Sequence, residues 1–305
     1  MVKKRIVYMG TPHYAREILD TLIKAEDMSV TLVLTQPDRP VGRKMVLTPP
    51  PVKVLAEQHS IEVLQPIKLT DEGIIDAIKV QNPDFIVVAA FGQLLPKEVL
   101  DIAPCINLHA SLLPQYRGAS PVQQSLLNGD EVTGVTSMLM EEGLDTGPML
   151  EKLEFKIPQD MRLYALMQQL TDDACKLTLS TIRNFESITP ETQNDAEATL
   201  CKKIKKSDGE VDFENAVVMY NKYRAFEGWP GIFASNGTKF DDLGLVDVEN
   251  KHRPYEVLGF EGESIIVGCA KGSIKIGTIQ PASKKAISAK AYCVGRGIKV
   301  GDSII

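Results

Sequence analysis

Within Cys105–Pro121, CINLHASLLPQYRGASP, an amide and an imidazole stand two residues apart, at Asn107 and His109. The run Ile106-Asn107-Leu108-His109 alternates apolar and polar residues, which predicts a half-exposed strand. Side chains two apart on a strand share a face, so Asn107 and His109 project together. An imidazole can exchange a proton near neutral pH, and an amide N–H can hold an oxygen that gains negative charge. Further on, Asp145 lies in Glu142-Gly143-Leu144-Asp145-Thr146-Gly147-Pro148, a loop bounded by glycine and proline. Its carboxylate is expected to orient His109 and to stabilise the protonated ring, as the acid of a triad does. A serine nucleophile is the weaker alternative. Ser111 and Ser120 are near, but the chain has no G-x-S-x-G elbow.

These residues also carry a resemblance. NLHASLLPQYRGASP, followed by EEGLDTGPM, is similar to the folate-dependent formyltransferases, which use 10-formyltetrahydrofolate. The resemblance implies Asn107, His109 and Asp145 as the catalytic set and 10-formyltetrahydrofolate as co-substrate. It also implies a folate pocket lined by Phe91, Gly92, Leu94 and Leu95 of FGQLLP, and by the signature loop Ser111, Leu112, Leu113 and Pro114. The four histidines show no metal-ligand spacing, which predicts no metal site.

The positioning elements read as an α/β domain. Arg5–Met9 predicts a first strand, and Thr11 an N-cap with Pro12 at the first helical position. Ala15, Ile18, Leu19, Leu22 and Ile23 follow the spacing of one buried helical face, and Val30–Leu34 predicts a second strand. This βαβ opening predicts a doubly wound, Rossmann-like sheet, without the G-x-G-x-x-G of a dinucleotide site. Thr70 is expected to cap a helix bearing Ile74, Ile75 and Ile78. Phe85–Ala90 reads as a strand covered on both faces. A strand over Thr133–Met140 is expected to carry the Asp145 loop to the same sheet edge as Phe91–Pro96, so that three loops converge on one cleft. A helix over Arg162–Phe185 closes a catalytic domain of residues 1–188, a linker spans 189–207, and 208–305 forms a second domain. There, short β-prone runs at Tyr255–Leu258, Ser264–Cys269 and Ser273–Gln280 predict a small OB-like barrel. Trp229 is expected in the core or at a hinge.

Composition narrows the partners. With 305 residues, 44% of them hydrophobic and the longest apolar runs short, nothing is predicted to cross a membrane. Five scattered cysteines without a C-x-x-C predict a reduced, cytoplasmic protein. The net charge is −6, yet Ser264–Gly301 holds seven basic residues and no acid, which suggests a polyanionic partner. Gln36–Pro51 shows no periodicity and is too long for an ordinary βα connection. It resembles the insertion by which methionyl-tRNA formyltransferases enter the acceptor stem of initiator tRNA. That resemblance implies initiator methionyl-tRNA as partner, Arg43 as the inserted side chain, and Arg39 and Lys44 as supporting contacts. Met45-Val46 departs from it, standing where further lysine is common. Lys205 and Lys206, then Lys271, Lys284 and Lys285, are the remaining candidate RNA contacts, and no protein partner is implied. Two other readings stay open: a formyl enzyme acting on a small amine or on formylfolate itself, and an RNA-binding protein on an inactive scaffold.

Overall fold

Lys4–Gly10 (β1) buries Ile6, Val7, Tyr8 and Met9 completely, because it is an interior strand of a sheet covered on both faces. The computed structural model of the chain describes residues 3–42 and 44–305. After β1 come His13–Lys24 (α1), Met28–Leu34 (β2), Arg39–Val41 (β3), Val46–Thr48 (β4), Pro51–Gln58 (α2) and Val63–Leu64 (β5). Next are Ile74–Val80 (α3), Phe85–Ala89 (β6), Lys97–Leu100 (α4), Cys105–His109 (β7), Arg117–Gly118 (β8) and Pro121–Asn128 (α5). Val132–Leu139 (β9), Met149–Lys156 (β10), Leu163–Asn184 (α6) and Leu200–Cys201 (β11) follow. Two units result, one holding the chain to Pro121 with Val132–Ile157 and Leu166–Lys202, the other Val122–Glu131, Pro158–Ala165 and Lys203–Ile305.

The first unit is built on a seven-stranded sheet in the order β10-β9-β7-β6-β1-β2-β5. β5, β2, β1, β6 and β7 are parallel, with the order reversing between β1 and β6. That is the doubly wound α/β arrangement expected, a class in which ligands bind beyond the carboxyl ends of the strands that flank the reversal, here β1 and β6. β9 and β10 extend it antiparallel.

Local chemistry departs from expectation at two helix starts. Pro12 is the N-cap of α1, and the Thr11 hydroxyl instead donates to the Phe91 carbonyl at 3.2 Å, tying the loops after β1 and β6 together. Gly73, at φ +78, caps α3 in place of Thr70. The Gln36–Pro51 segment forms a hairpin, with Arg39 opposite Thr48 and Val41 opposite Val46. Its base is fixed where Asp38 accepts from Gln65 at 2.8 Å and from Lys53 at 3.0 Å, bonds that hold its carboxyl below the usual range. The stretch expected as a linker is partly built into the first unit: Glu191 bridges Met149, and Leu200–Cys201 pairs with Arg117–Gly118.

The second unit contains Ala216–Ala225 (α7), Ile232–Phe233 (β12), Lys239–Asp247 (β13), Val257–Glu261 (β14), Ser264–Gly268 (β15), Ser273–Gln280 (β16), Ile287–Ser288 (β17) and Ala289–Val294 (α8). Its sheet runs β12-β13-β16-β15-β14, with β17 also on β16, around buried Phe213, Phe240, Ile265, Val267, Ile274 and Ile276. Among the described residues no pairing joins β12 to β14, so the expected barrel is not closed. Each edge meets another partner, Phe233 bridging Glu210 and Glu256, just before β14, bridging Ser303. Trp229 is 57% exposed, which corrects the core alternative of its expected placement; Phe226, three residues earlier, is the buried aromatic of this stretch.

Candidate active site

β7 carries Asn107 and His109, and the strand is buried throughout rather than half-exposed. It pairs with β6 on one side and β9 on the other, and the loop after β9 lies over its polar face. The alternation read in the sequence therefore marks an enclosed polar pocket, not a solvent face. His109 Nε2 sits 2.9 Å from the Tyr116 carbonyl. A carbonyl only accepts, so Nε2 carries the proton and the lone pair of the neutral ring is on Nδ1. Nδ1 is 3.8 Å from Asp145 Oδ2. That oxygen accepts the Gly118 N–H at 2.8 Å, while Asn107 Nδ2 donates to Oδ1 at 3.3 Å. The carboxylate thus stands between amide and imidazole. The triad expectation changes in one respect: the hydrogen bond that orients the ring comes from the Tyr116 backbone, and Asp145 faces the basic nitrogen at ion-pair distance.

Asp145 does not arrive along the expected edge. β9 runs antiparallel to β7, so its end lies beside the start of β7, where Met140 N donates to Cys105 O at 2.8 Å. Residues 140–148 then double back to bring Asp145 over Asn107. The turn needs Asp145 at φ +53 and a bare Gly147, whose added Cβ would fall 1.9 Å from the Leu139 carbonyl. The residue that pins it escaped sequence reasoning. Gln193 Nε2 donates to the carbonyls of Asp145 and Gly147 at 2.8 and 2.7 Å, and its Oε1 accepts from Arg117 Nε at 2.9 Å. Arg117, buried, also reaches Asp195 at 2.8 Å. The buried Cys201 thiol, pushed up by its burial and so held protonated, donates to the Tyr116 carbonyl and accepts from Ser120 N, both at 3.3 Å. No local signal marks these partners: Gln193 lies 46 to 48 residues from the turn it pins, and Cys201 81 to 85 from the loop it touches.

The expected folate-lining residues divide. Phe91 and Leu95 belong to the core cluster between the sheet and α3 and α4. Ser111 is buried with its hydroxyl on the Gln115 carbonyl at 2.6 Å, and Leu113 packs with Met138 and Met149. These four shape the loops from beneath. Gly92 at φ +85, Leu94 at 63% exposure, and half-buried Leu112 and Pro114 remain open to a ligand. Open apolar side chains and bare backbone of this kind suit a flat heteroaromatic ring with polar edges. Among the described residues no three His, Cys, Asp or Glu side chains gather as metal ligands.

The candidate RNA residues that the structure describes are exposed but differently engaged. Arg39 donates to Gln36 at 2.9 Å, Lys44 sits at the hairpin turn, and Arg43 lies outside the described residues. Around that turn Val41, Met45, Val46 and Leu47 are all more than half exposed, so the hairpin tip is apolar as well as basic. Lys205 and Lys206 are exposed. Lys271, and its neighbours Lys275 and Lys290, pair with Glu249, Glu261 and Glu263, while Lys284 and Lys285 make no ion pair among the described residues. The acid-free stretch is thus partly neutralised from the β13–β14 connection and the β14–β15 turn.

Known proteins share this plan. A family model described as formyl transferase matches residues 4–182, and one for the formyl transferase C-terminal domain matches 203–297. A methionyl-tRNA formyltransferase of Sulfurovum sp. (strain NBC37-1) is 73% identical over 304 residues, covering 100% of both chains. One from a Nitratiruptor species is 50% identical, covering 98% of this chain and 99% of that one. Two solved structures are similar in fold. An N-formyltransferase from Helicobacter canadensis, in complex with folinic acid and dTDP-3-aminofucose, has a TM-score of 0.65 at 18% identity, covering 90% of this chain and 98% of that one. HypX from Aquifex aeolicus, in complex with tetrahydrofolic acid, has a TM-score of 0.60 at 18% identity over 97% of this chain, which spans only 47% of HypX. With one full-length relative sharing nearly three residues in four, and both formyl transferase models matched in order, the chain belongs to the methionyl-tRNA formyltransferase family.

Proposed function

We propose that this protein transfers the formyl group of 10-formyltetrahydrofolate to the α-amine of methionine on initiator methionyl-tRNA, in the cytoplasm. The observation that carries the reading is the convergence of Asn107, His109 and Gly118 on one carboxylate, Asp145. The bound folate supplies an activated formyl carbon, which becomes tetrahedral and gains an oxyanion when the amine attacks. Asn107 holds that oxygen with the Nδ2 hydrogen not given to Asp145. His109 takes the amine proton on Nδ1, since Nε2–H is committed to Tyr116. Asp145 then faces the imidazolium, favouring the charged ring until the proton leaves for the departing nitrogen. Gly92, Leu94, Leu112 and Pro114 form the folate platform, and Ser111 and Leu113 hold the signature loop in shape.

The acceptor is argued from what surrounds the site. A small-amine formyltransferase needs neither the Gln36–Pro51 segment, whose sequence holds Arg39, Arg43 and Lys44, nor the cations Lys205, Lys206, Lys284 and Lys285. We read the hairpin as the element that engages the acceptor end, and the second unit, an open OB-like sheet, as the backbone-binding surface. Phosphate contacts of this kind supply affinity without sequence information. The test is transfer of labelled formyl to charged initiator methionyl-tRNA, with free methionine and a sugar amine as controls. Labelling of the charged tRNA alone is expected. Labelling of the free amine, or release of formate without transfer, overturns the reading.

A further inference from the structure

Gln193 lies outside both matched spans, which end at 182 and resume at 203, in a stretch that reads from sequence as a linker. Yet its side chain is only 6% exposed, and its polar atoms are used on both sides. The two amide hydrogens go to the Asp145 and Gly147 carbonyls, and the amide oxygen to Arg117. Asp145 holds φ +53, a conformation that a residue with a side chain keeps only when its surroundings impose it. Within the turn, the two carbonyls that Gln193 grips flank Thr146, so this one side chain fixes the turn that aims the carboxylate. The same segment grips the carboxylate from the other side. Leu200–Cys201 pairs with Arg117–Gly118, and the Gly118 N–H is the donor to Asp145 Oδ2.

We propose that Gln193 is a positioning residue for formyl transfer, fixing the Asp145 turn so that the carboxylate stays between Asn107 and His109. Arg117 holds Gln193 in register and leaves its amide only one orientation, because a guanidinium donates and must face the oxygen. The proposal rests on the catalytic reading of Asp145 given above.

Two substitutions separate the contributions. Gln193→Leu keeps much of the volume and removes all three bonds. Gln193→Glu keeps the acceptor toward Arg117 but turns a carboxylate oxygen toward the two carbonyls. In single-turnover formyl transfer with enzyme in excess, both variants are expected to lose about 100-fold in rate, the penalty of an ångström-scale misplacement. The KM values for tRNA and folate, from steady-state runs, stay within about twofold of wild type, since no substrate contact is removed. The same changes made in an Asp145→Ala background are expected to cost less than about threefold more, because the two residues act as one unit. Wild-type rates in both single variants overturn the proposal. So does an equal loss with and without Asp145, which marks a merely structural role. If Asp145→Ala alone turns over normally, it is the catalytic reading of Asp145 that fails, and the positioning role fails with it.

Discussion

Gly118→Ala should damage the fold and the chemistry through one atom. Gly118 holds φ +120, and a Cβ built there stands 2.3 Å from the Cys201 carbonyl oxygen, where real Cβ atoms keep at least 3.0 Å. β8 and β11 would have to part by about 0.7 Å, the difference between those two distances. Holding a side-chain residue at that φ costs about 1–3 kcal/mol. At roughly 2–4 °C per kcal/mol for a unit of this size, a 2 kcal/mol loss lowers the melting temperature by about 4–8 °C. The chemical penalty is separate. The Gly118 N–H is 2.8 Å from Asp145 Oδ2, so a shift of most of an ångström misplaces the carboxylate and costs about 100-fold in kcat. Thermal melting and formyl transfer to charged tRNA are measured on the same preparation. Gly231→Ala, also at positive φ (+71) but with nothing within 4 Å, is the control that carries backbone strain without the clash, and its kcat should be unchanged. A Gly118→Ala protein melting within 1 °C of wild type, at normal kcat, would refute the reasoning.

Four further outcomes are expected. His109→Ala should lower kcat by about 10²–10⁴ while tRNA retention on filters is unchanged, because the ring's part is proton transfer. Replacing Val46 and Leu47 by serine should leave stability within about 0.5 kcal/mol, since both are exposed, but raise KM for tRNA several-fold if the apolar tip meets bases; an unchanged KM removes the tip from the interface. Lys205→Ala with Lys206→Ala should weaken tRNA binding and flatten its salt dependence by about one unit of log–log slope per lost phosphate contact. In native protein at pH 8, iodoacetamide should label half-buried Cys175 first. Cys105, its thiol pushed up to about 12 by burial, should resist, and mass spectrometry reads the order.

What the sequence made legible was local. The apolar run at Phe85, the periodic face of α1 and the Asn107/His109 pair each follow from spacing within a few residues, and each stands in the structure as a buried strand, a packed helix and a shared polar face. What it hid was pairing at a distance. Nothing near Gln193 or Cys201 signals the loop some 80 residues earlier, because a polar linker and a clasp have the same composition. The antiparallel sense of β9 was equally silent, since alternation sets a strand's faces and not its direction. Charge counting along Ser264–Gly301 missed its neutralisation because the paired acids lie outside that stretch, Glu249 in the connection after β13 and Glu261 and Glu263 at the β14–β15 turn. The core alternative for Trp229 failed for a related reason: a single large apolar residue says little about burial, and here Phe226, three residues earlier, is the buried aromatic.

The most direct test of the account is the single-turnover rate of formyl transfer from 10-formyltetrahydrofolate to charged initiator methionyl-tRNA by Asn107→Ala. Losing one oxyanion donor predicts a rate about 10²–10³ below wild type, near 3–4 kcal/mol, in a protein that still binds tRNA. A rate within threefold of wild type would contradict the assignment of this pocket as the site of formyl transfer.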